Sequence, residues 1–154
     1  VQALWRTRQA LSPALRHIAP KKINEDVVVP VSRMAAFIEG LEGLARETGI
    51  RIVNFGHAGN GNIHVNLLVN PDDADEMARA SRCLEAVFAL VLGLGGTLSG
   101  EHGVGLEKRD FVARELDPTA LGLMVEIKRC FDPAGILNPG KTLPKVAALG
   151  SRAG

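Results

Sequence analysis

The chain has 154 residues, of which 46% are hydrophobic and 23% are charged, and its formal net charge is +1. These values fit a globular domain with an apolar core. The chain carries no basic stripe, which excludes an electrostatic footprint for nucleic acid, and its longest apolar run, near residues 86–94, is too short to cross a bilayer.

Helical and extended patterns alternate along the chain. Pro13 is expected to kink the first helix, Pro30 to end the first strand and Gly49 to stop the second helix. In chain order, the predicted elements are a helix over residues 2–18, a short strand over 27–29, a helix over 30–49, strands over 50–57 and 62–70, a helix over 70–94, a brief strand over 97–99 and a helix over 118–131.

The two later helices carry the clearest end signals. We expect Asn70-Pro71 and Asp117-Pro118 to supply the N-cap and the first helical position of each. Helical spacing predicts the residues that face the core, namely Met77, Ser81, Leu84, Val87, Phe88 and Val91 in the first and Leu121, Met124, Val125 and Ile127 in the second.

The two cysteines, Cys83 and Cys130, lie far apart and without CxxC spacing. Each falls in a predicted amphipathic helix, so we expect two buried free thiols rather than a disulfide. Free thiols suit a reducing, cytoplasmic compartment. The chain begins without Met inside a predicted helix, so we expect it to be a fragment of a longer protein.

The stretch GHAGNGNIHVN, residues 56–66, joins the two middle strands and predicts a hairpin. A two-residue turn at Asn60-Gly61 would place His57 directly opposite His64, with Cβ atoms about 5 Å apart on one face. Two imidazoles in this arrangement could bind one metal ion. A wider glycine loop could also bring them together, and a solvated sheet face would show the same pattern. The hairpin among helices predicts an α+β fold, with an antiparallel or mixed sheet and helices on one face.

A second stretch, GGTLSGEHGVGLEK, residues 95–108, places Glu101 and His102 between glycines that permit a backbone twist. Imidazole nitrogens and carboxylate oxygens are zinc ligands, and catalytic zinc sites often use three protein ligands. His57, His64 and Glu101 would form such a set. An exposed polar turn is the simpler interpretation of this segment taken alone.

The two stretches, followed by FDPAGILNPGKTLP, resemble the C-terminal region of FAD-linked 2-hydroxyacid dehydrogenases, the family of D-lactate dehydrogenase, the glycolate oxidase flavoprotein subunit and D-2-hydroxyglutarate dehydrogenase. The resemblance covers essentially the whole chain, 1–154. It implies a ferredoxin-like α+β substrate domain that follows an N-terminal FAD-binding domain outside this chain. In place of the commonest family loop, GDGN, the chain has Gly59-Asn60-Gly61-Asn62.

The resemblance also implies roles for individual residues. His57, His64 and Glu101 would bind a divalent metal, usually zinc, although iron and manganese suit the same ligands. His102 would be the general base. Substrate contacts would come from Arg8, Ser12, Lys22 and Asn66, and the cofactor would lie near Asn138 and Lys141.

The implied activity is oxidation of a D-2-hydroxy acid to the 2-keto acid by hydride transfer to FAD. The chain alone is expected to be inactive. Expected partners are the small hydroxy acid, the N-terminal FAD domain and electron-transfer subunits, through which a cytoplasmic protein would associate peripherally with the inner membrane. A zinc-dependent hydrolase and a non-catalytic interaction domain are the alternatives left open.

Overall fold

The computed structural model describes residues 2–144, apart from the Ala3 side chain. The chain divides into two compact units, Val1–Gly96 and Thr97–Gly154. The first unit contains α1 (Gln2–Ala14), β1 (Lys21–Val28), α2 (Met34–Thr48), β2 (Arg51–His57), β3 (Asn62–Val69) and α3 (Ala74–Gly93), with 3-10 turns at Leu15–His17 and Val31–Arg33. The second contains a 3-10 turn at Arg109–Phe111, α4 (Val112–Glu115) and α5 (Pro118–Phe131).

The sheet has three antiparallel strands in the order β1-β3-β2. The α+β class is therefore confirmed. The succession β-α-β-β-α and this strand order correspond to a ferredoxin-like unit whose last strand is not found in residues 2–144. Among the strands, β1 and the brief strand predicted over 97–99 depart from expectation.

Strand β1 begins at Lys21, well before the predicted start at residue 27. Its first six residues, KKINED, are polar except for Ile23, and they hid the extended pattern. They are held in the sheet because β1 pairs with β3 along its whole length, from Lys21 opposite Val69 to Val28 opposite Asn62. Backbone pairing with a central strand has overridden local propensity here.

The strand predicted over residues 97–99 is absent, and only Thr97 forms an isolated bridge. The Glu115 carboxylate binds this segment. It accepts hydrogen bonds from the Thr97 hydroxyl at 2.6 Å and from the Leu98 amide at 2.9 Å. Glycines on both sides, at 95–96 and 100, favour a turn over an extended ladder.

Helix α3 begins at Ala74 rather than at Pro71. Asp73 is the N-cap, because its carboxylate accepts a hydrogen bond from the Glu76 amide at 2.9 Å. The Asn70 side chain accepts from the Asp72 amide at 3.1 Å and so forms a turn that precedes the helix. The ends predicted at Gly49 and at Asp117-Pro118 are confirmed, because Gly49 has the left-handed conformation (φ 68°) and Asp117 caps α5. Helix α1 ends at Ala14 rather than at residue 18, and a 3-10 turn follows it.

The core of the first unit lies between α2, α3 and one face of the sheet. The helices bury Phe37, Leu41, Val87 and Phe88 in this core, and β3 buries alternate residues from Ile63 to Val69. Ser81 was expected in this core but is exposed, and the α3 residues buried beside Val87, Phe88 and Val91 are Ala80 and Cys83.

The second unit buries less of its long helix than helical spacing predicted. Of the four residues expected in the core, Leu121 is buried, Val125 is half-buried, and Met124 and Ile127 are exposed. Periodicity identifies an apolar helix face, but it does not show whether another element covers that face.

Both cysteines are free, but only Cys83 is buried, and Cys130 is exposed on α5. The expectation of two buried thiols was therefore wrong for Cys130. Burial raises the pKa of the Cys83 thiol, so this side chain is a neutral core residue at physiological pH.

Candidate functional site

The hairpin between β2 and β3 is wider than the predicted two-residue turn. His57 ends β2 and Asn62 begins β3, so four residues connect the strands. The His57 carbonyl accepts hydrogen bonds from the Asn60 and Gly61 amides, both at 3.1 Å, and the Asn60 side chain accepts from the Asn62 amide at 3.2 Å. His57 therefore lies opposite Asn62, and His64 lies opposite Phe55.

The predicted register was wrong by two residues, yet the histidines still share a face. A shift of one residue would have placed them on opposite faces, but a shift of two preserves the side on which each side chain lies. His57 and His64 are diagonal neighbours whose ring centroids are 6.0 Å apart. One ring nitrogen of each lies within 4.8 Å of one nitrogen of the other. The ring of Phe55 flanks His64 at 5.8 Å between centroids.

Helix α1 lies over this face of the sheet, opposite the core helices. An Arg8 guanidinium nitrogen lies 3.3 Å from Nε2 of His57. Because arginine can only donate a hydrogen bond, this His57 nitrogen carries the lone pair. The Lys22 ammonium group of β1 donates a hydrogen bond to the Ser12 hydroxyl at 2.5 Å. Thus α1 and β1 bring Arg8, Ser12 and Lys22 to the face of the two histidines.

A cavity of about 240 Å³ lies between α1 and the sheet. Arg8 and Ser12 line it from the helix, and Phe55 and His64 line it from the strands. Its size suits a small molecule of a few heavy atoms, with a fixed positive charge and an imidazole on its walls.

Asn66 is the next residue of β3 on the face of His64, and it is fully buried. Its amide nitrogen donates to the Val53 carbonyl at 3.1 Å and to the His64 carbonyl at 3.3 Å. Its carbonyl oxygen, Oδ1, has no hydrogen-bond partner among the residues that the structure describes. This oxygen is a buried acceptor on the residue next to His64 on the same sheet face.

Glu101 and His102 belong to the second unit, where both are exposed in an irregular segment that is neither helix nor strand. Asn138 and Lys141 follow α5 in the same unit. Asn138 has a positive φ of 47°, and its carbonyl accepts a hydrogen bond from the Lys141 amide at 3.4 Å. Both residues line a groove of about 670 Å³ whose walls are mainly the apolar residues of α5 and of the segment after it.

Two polar residues beside the histidines were missed as site candidates. Asp26 is fully buried in β1 and Asn62 is almost fully buried in β3, and the Asn62 amide donates to the Asp26 carboxylate at 2.6 Å. The available signal was an acidic residue directly before the apolar run VVV, because a carboxylate within a buried strand needs a partner.

No helix in residues 2–144 is both long enough and apolar enough to cross a membrane.

Comparison with known proteins identifies the family. The family model described as "FAD linked oxidases, C-terminal domain" matches residues 1–142. The glycolate oxidase subunit GlcD of Bacillus subtilis (strain 168) is 37% identical over 145 residues, which cover 94% of this chain and 31% of that protein. The D-2-hydroxyglutarate dehydrogenase of Stutzerimonas stutzeri (strain A1501) is 37% identical over 146 residues, which cover 92% of this chain and 31% of that protein.

A D-lactate dehydrogenase of Anaerostipes hadrus is 36% identical over 143 residues, which cover 92% of this chain and 30% of that protein. The chain therefore spans about 30% of the length of these relatives. The names of all three refer to a 2-hydroxy acid. The whole-chain match, together with the two histidines and the arginine on one sheet face, shows that this chain belongs to the C-terminal domain family of FAD-linked oxidases.

Proposed function

We propose that the chain is the substrate- and metal-binding domain of a flavoprotein that oxidises a D-2-hydroxy acid of the lactate, glycolate or 2-hydroxyglutarate type. The observation that carries the proposal is the grouping of His57, His64 and Arg8 on one face of the sheet, beside a small cavity that Arg8 and His64 line. Imidazoles suit a divalent cation, and a guanidinium group suits a carboxylate. A 2-hydroxy acid bound to a cation needs both kinds of partner.

The histidine pair fits a divalent cation. Zinc–nitrogen bonds are about 2.0–2.1 Å long, so ring nitrogens within 4.8 Å of each other need only a small side-chain rotation to share one ion. The contact with Arg8 supports this fit, because a ring nitrogen that accepts a hydrogen bond carries the lone pair that a cation needs. We propose Glu101 as the third ligand because it completes the family motif GEHG. Zinc is the preferred metal, and iron and manganese suit the same ligands.

The substrate carboxylate would bind Arg8, whose planar guanidinium group can donate two parallel hydrogen bonds. Ser12 and Lys22 form a hydrogen-bonded pair beside it and would add a hydroxyl and a second positive charge. The unpaired oxygen of Asn66 is an acceptor suited to a substrate hydroxyl. Together these groups would hold the α-carbon in one orientation.

His102 is proposed as the base that takes the hydroxyl proton, since an imidazole titrates near neutral pH. The bound cation would supply Lewis-acid polarisation of the substrate oxygen. FAD would supply the acceptor for the α-hydrogen, which leaves as hydride. Loss of one proton and one hydride converts the alcohol carbon into the carbonyl of a 2-keto acid.

We further propose that the cofactor is bound mainly by a separate FAD domain of the same protein, next to Asn138 and Lys141. Both residues line the groove beside α5, whose apolar residues Ile127 and Phe131 are 59% and 81% exposed. Electron-transfer subunits and a cytoplasmic location, peripheral to the inner membrane through those subunits, complete the proposal.

The test uses the full-length flavoprotein that contains this chain, purified without chelators. We expect bound divalent metal and dye reduction with D-lactate, glycolate or D-2-hydroxyglutarate. His102→Ala should lower turnover about 10²- to 10⁴-fold and keep the metal, as expected for loss of a general base. His57→Ala should lose the metal. The exposed His17 offers a matched control, and His17→Ala should change neither property.

Two results would reject the proposal. A metal-containing protein that hydrolyses esters or amides and leaves its flavin oxidised with all three acids would be a hydrolase. A protein without stoichiometric metal and without turnover would be an interaction domain.

A further inference from the structure

A buried polar pair lies beside the two histidines. Asp26 has no exposed surface, Asn62 is 2% exposed, and the Asn62 amide donates to the Asp26 carboxylate at 2.6 Å. In the sheet register, Asp26 lies directly opposite His64, and Asn62 lies directly opposite His57. Residues opposite each other on antiparallel strands share a face, with Cβ atoms about 5 Å apart. Each member of the pair is thus the cross-strand neighbour of one histidine.

The hydrogen-bonding state of Asn62 points to a further donor. Its amide nitrogen is used by Asp26, but its side-chain oxygen is buried and makes no hydrogen bond to any residue from 2 to 144. Buried carbonyl oxygens are usually hydrogen-bonded, so an unpaired one in a native protein needs a physical explanation. The cross-strand neighbour His57 carries a ring N–H and is therefore the candidate for this donor.

The tautomer of His57 agrees with this assignment. Its Nε2 atom faces the Arg8 guanidinium group and therefore carries the lone pair. In a neutral imidazole the proton then lies on Nδ1, the other ring nitrogen. A metal-binding histidine keeps its orientation when an oxygen acceptor holds that second N–H.

We propose that Asp26 and Asn62 are positioning residues that fix the ring orientation and tautomer of His64 and His57, so that both rings direct a lone pair at one divalent cation. This inference rests on the metal site of the proposed function. The Asp26 carboxylate lies opposite His64 and orients that ring, and it also accepts the hydrogen bond from the Asn62 amide. The Asn62 oxygen is thereby directed at His57. One buried pair serves both histidines.

The chain offers a matched control in the adjacent residue. Glu25 is also a buried carboxylate, 3% exposed, in the same strand. It lies opposite Val65 and therefore on the other face of the sheet, away from the histidines. Replacement of Glu25 removes a buried charge from β1 but leaves the proposed pair intact.

The experiment measures Zn²⁺ affinity by competition with a chromophoric chelator in the metal-depleted full-length protein. Asp26→Asn should weaken Zn²⁺ binding about 10- to 100-fold, which is the range expected for loss of a group that orients a metal ligand. Glu25→Gln should change the Zn²⁺ affinity less than about twofold. The d–d spectrum of the Co²⁺-loaded protein should change in Asp26→Asn and stay as in the wild type in Glu25→Gln.

A measurement on the wild type covers the case in which Asp26→Asn fails to fold. Nitrogen-15 spectra of the metal-free protein at alkaline pH should show His57 and His64 each as a single neutral tautomer. The exposed His17 should show the usual mixture. If the two site histidines show the same mixture as His17, the inference is overturned.

The outcomes separate this inference from the proposed function. A wild type that binds no Zn²⁺ overturns the proposed metal site, and this inference with it. A wild type that binds Zn²⁺ tightly, together with a folded Asp26→Asn variant of equal affinity, overturns the positioning role alone. Equal losses in Asp26→Asn and Glu25→Gln would show a structural effect of removing any buried carboxylate from β1, and would also overturn it.

Discussion

The carboxylate of Asp132 organises the turn that follows α5. It accepts hydrogen bonds from the Lys128 ammonium group and from the Ile136 and Leu137 amides, the last two at 2.9 Å. The Lys128 hydrogen bond, followed by the two amides, holds the pKa of the Asp132 carboxyl below its usual range. The folded state therefore stabilises the ionised form of the Asp132 carboxyl relative to the unfolded state.

Asp132→Asn should reduce the loss of stability in acid. A depressed folded-state pKa contributes stability above the unfolded value, about 3.9, and this contribution disappears as the pH falls through the lower folded value. The wild type should therefore lose part of its thermal stability below about pH 4, and the variant should lose less over the same range. Thermal unfolding followed by circular dichroism at several pH values measures this.

Asp72→Asn provides the comparison, because Asp72 is an exposed carboxylate next to a helix cap. Asp72→Asn should lose thermal stability at low pH to the same extent as the wild type. An identical acid limb in Asp132→Asn and the wild type would contradict the role assigned to Asp132.

The loop of the β2–β3 hairpin contains a glycine that no other residue could replace without strain. Gly61 has a φ of 77°, and its carbonyl accepts a hydrogen bond from the Val29 amide at 3.1 Å. A Cβ atom at this position would lie 2.0 Å from the Val29 carbonyl oxygen. The loop thus joins the hairpin to the end of β1 through contacts that leave no room for a side chain.

Gly61→Ala should lower the free energy of unfolding by more than about 1 kcal/mol, because a left-handed conformation is unfavourable for alanine and the backbone clash adds to this cost. Gly59→Ala in the same loop should cost less than about 0.5 kcal/mol, as expected where a side chain meets no neighbour. Urea denaturation of both variants gives the comparison. Equal changes in the free energy of unfolding would show that the close approach of Gly61 to Val29 does not determine the loop conformation.

The start of α3 can be tested in the same way. Asp73→Ala should destabilise the protein by about 1 kcal/mol, the usual cost of losing a side-chain N-cap. Asp72→Ala, one residue earlier, should stay within about 0.5 kcal/mol of the wild type, as for most surface changes. Urea denaturation measures both. A larger effect of Asn70→Ala than of Asp73→Ala would instead favour the helix start predicted at Asn70-Pro71.

The proposed function assigns the chain as a whole to the substrate side of a flavin-dependent oxidation. The described residues supply imidazoles, an arginine and a small cavity, and the chain spans about 30% of the length of its relatives. Under the proposed function, this chain would bind substrate and metal, and a separate FAD domain would supply the acceptor for hydride.

We therefore expect the chain alone to bind no FAD tightly and to catalyse no oxidation. Incubation with FAD followed by desalting should leave no flavin absorbance, and D-lactate with a reducible dye should give no turnover. The full-length flavoprotein is the positive control. Dye reduction by the chain alone would show that this prediction is wrong.

Periodicity and end signals in the sequence were enough for the α+β class, most of the helices and strands, and the shared face of His57 and His64. These features are local, since a period of two in a strand and a period of 3.6 in a helix need no knowledge of the partner element. The prediction that both histidines lie on one face was correct although the predicted turn was wrong, because the error in register was an even number of residues.

The length of β1, the hairpin register and the buried pair of Asp26 and Asn62 arose only from packing. A polar residue that is hydrogen-bonded inside a sheet looks the same in a sequence as one that faces water. The free energy that favours the buried position comes from partners many residues away, on β3 for Asp26 and on β1 for Asn62. Contacts between distant segments therefore decided which polar residues surround the histidines, and which apolar face of α5 stayed exposed.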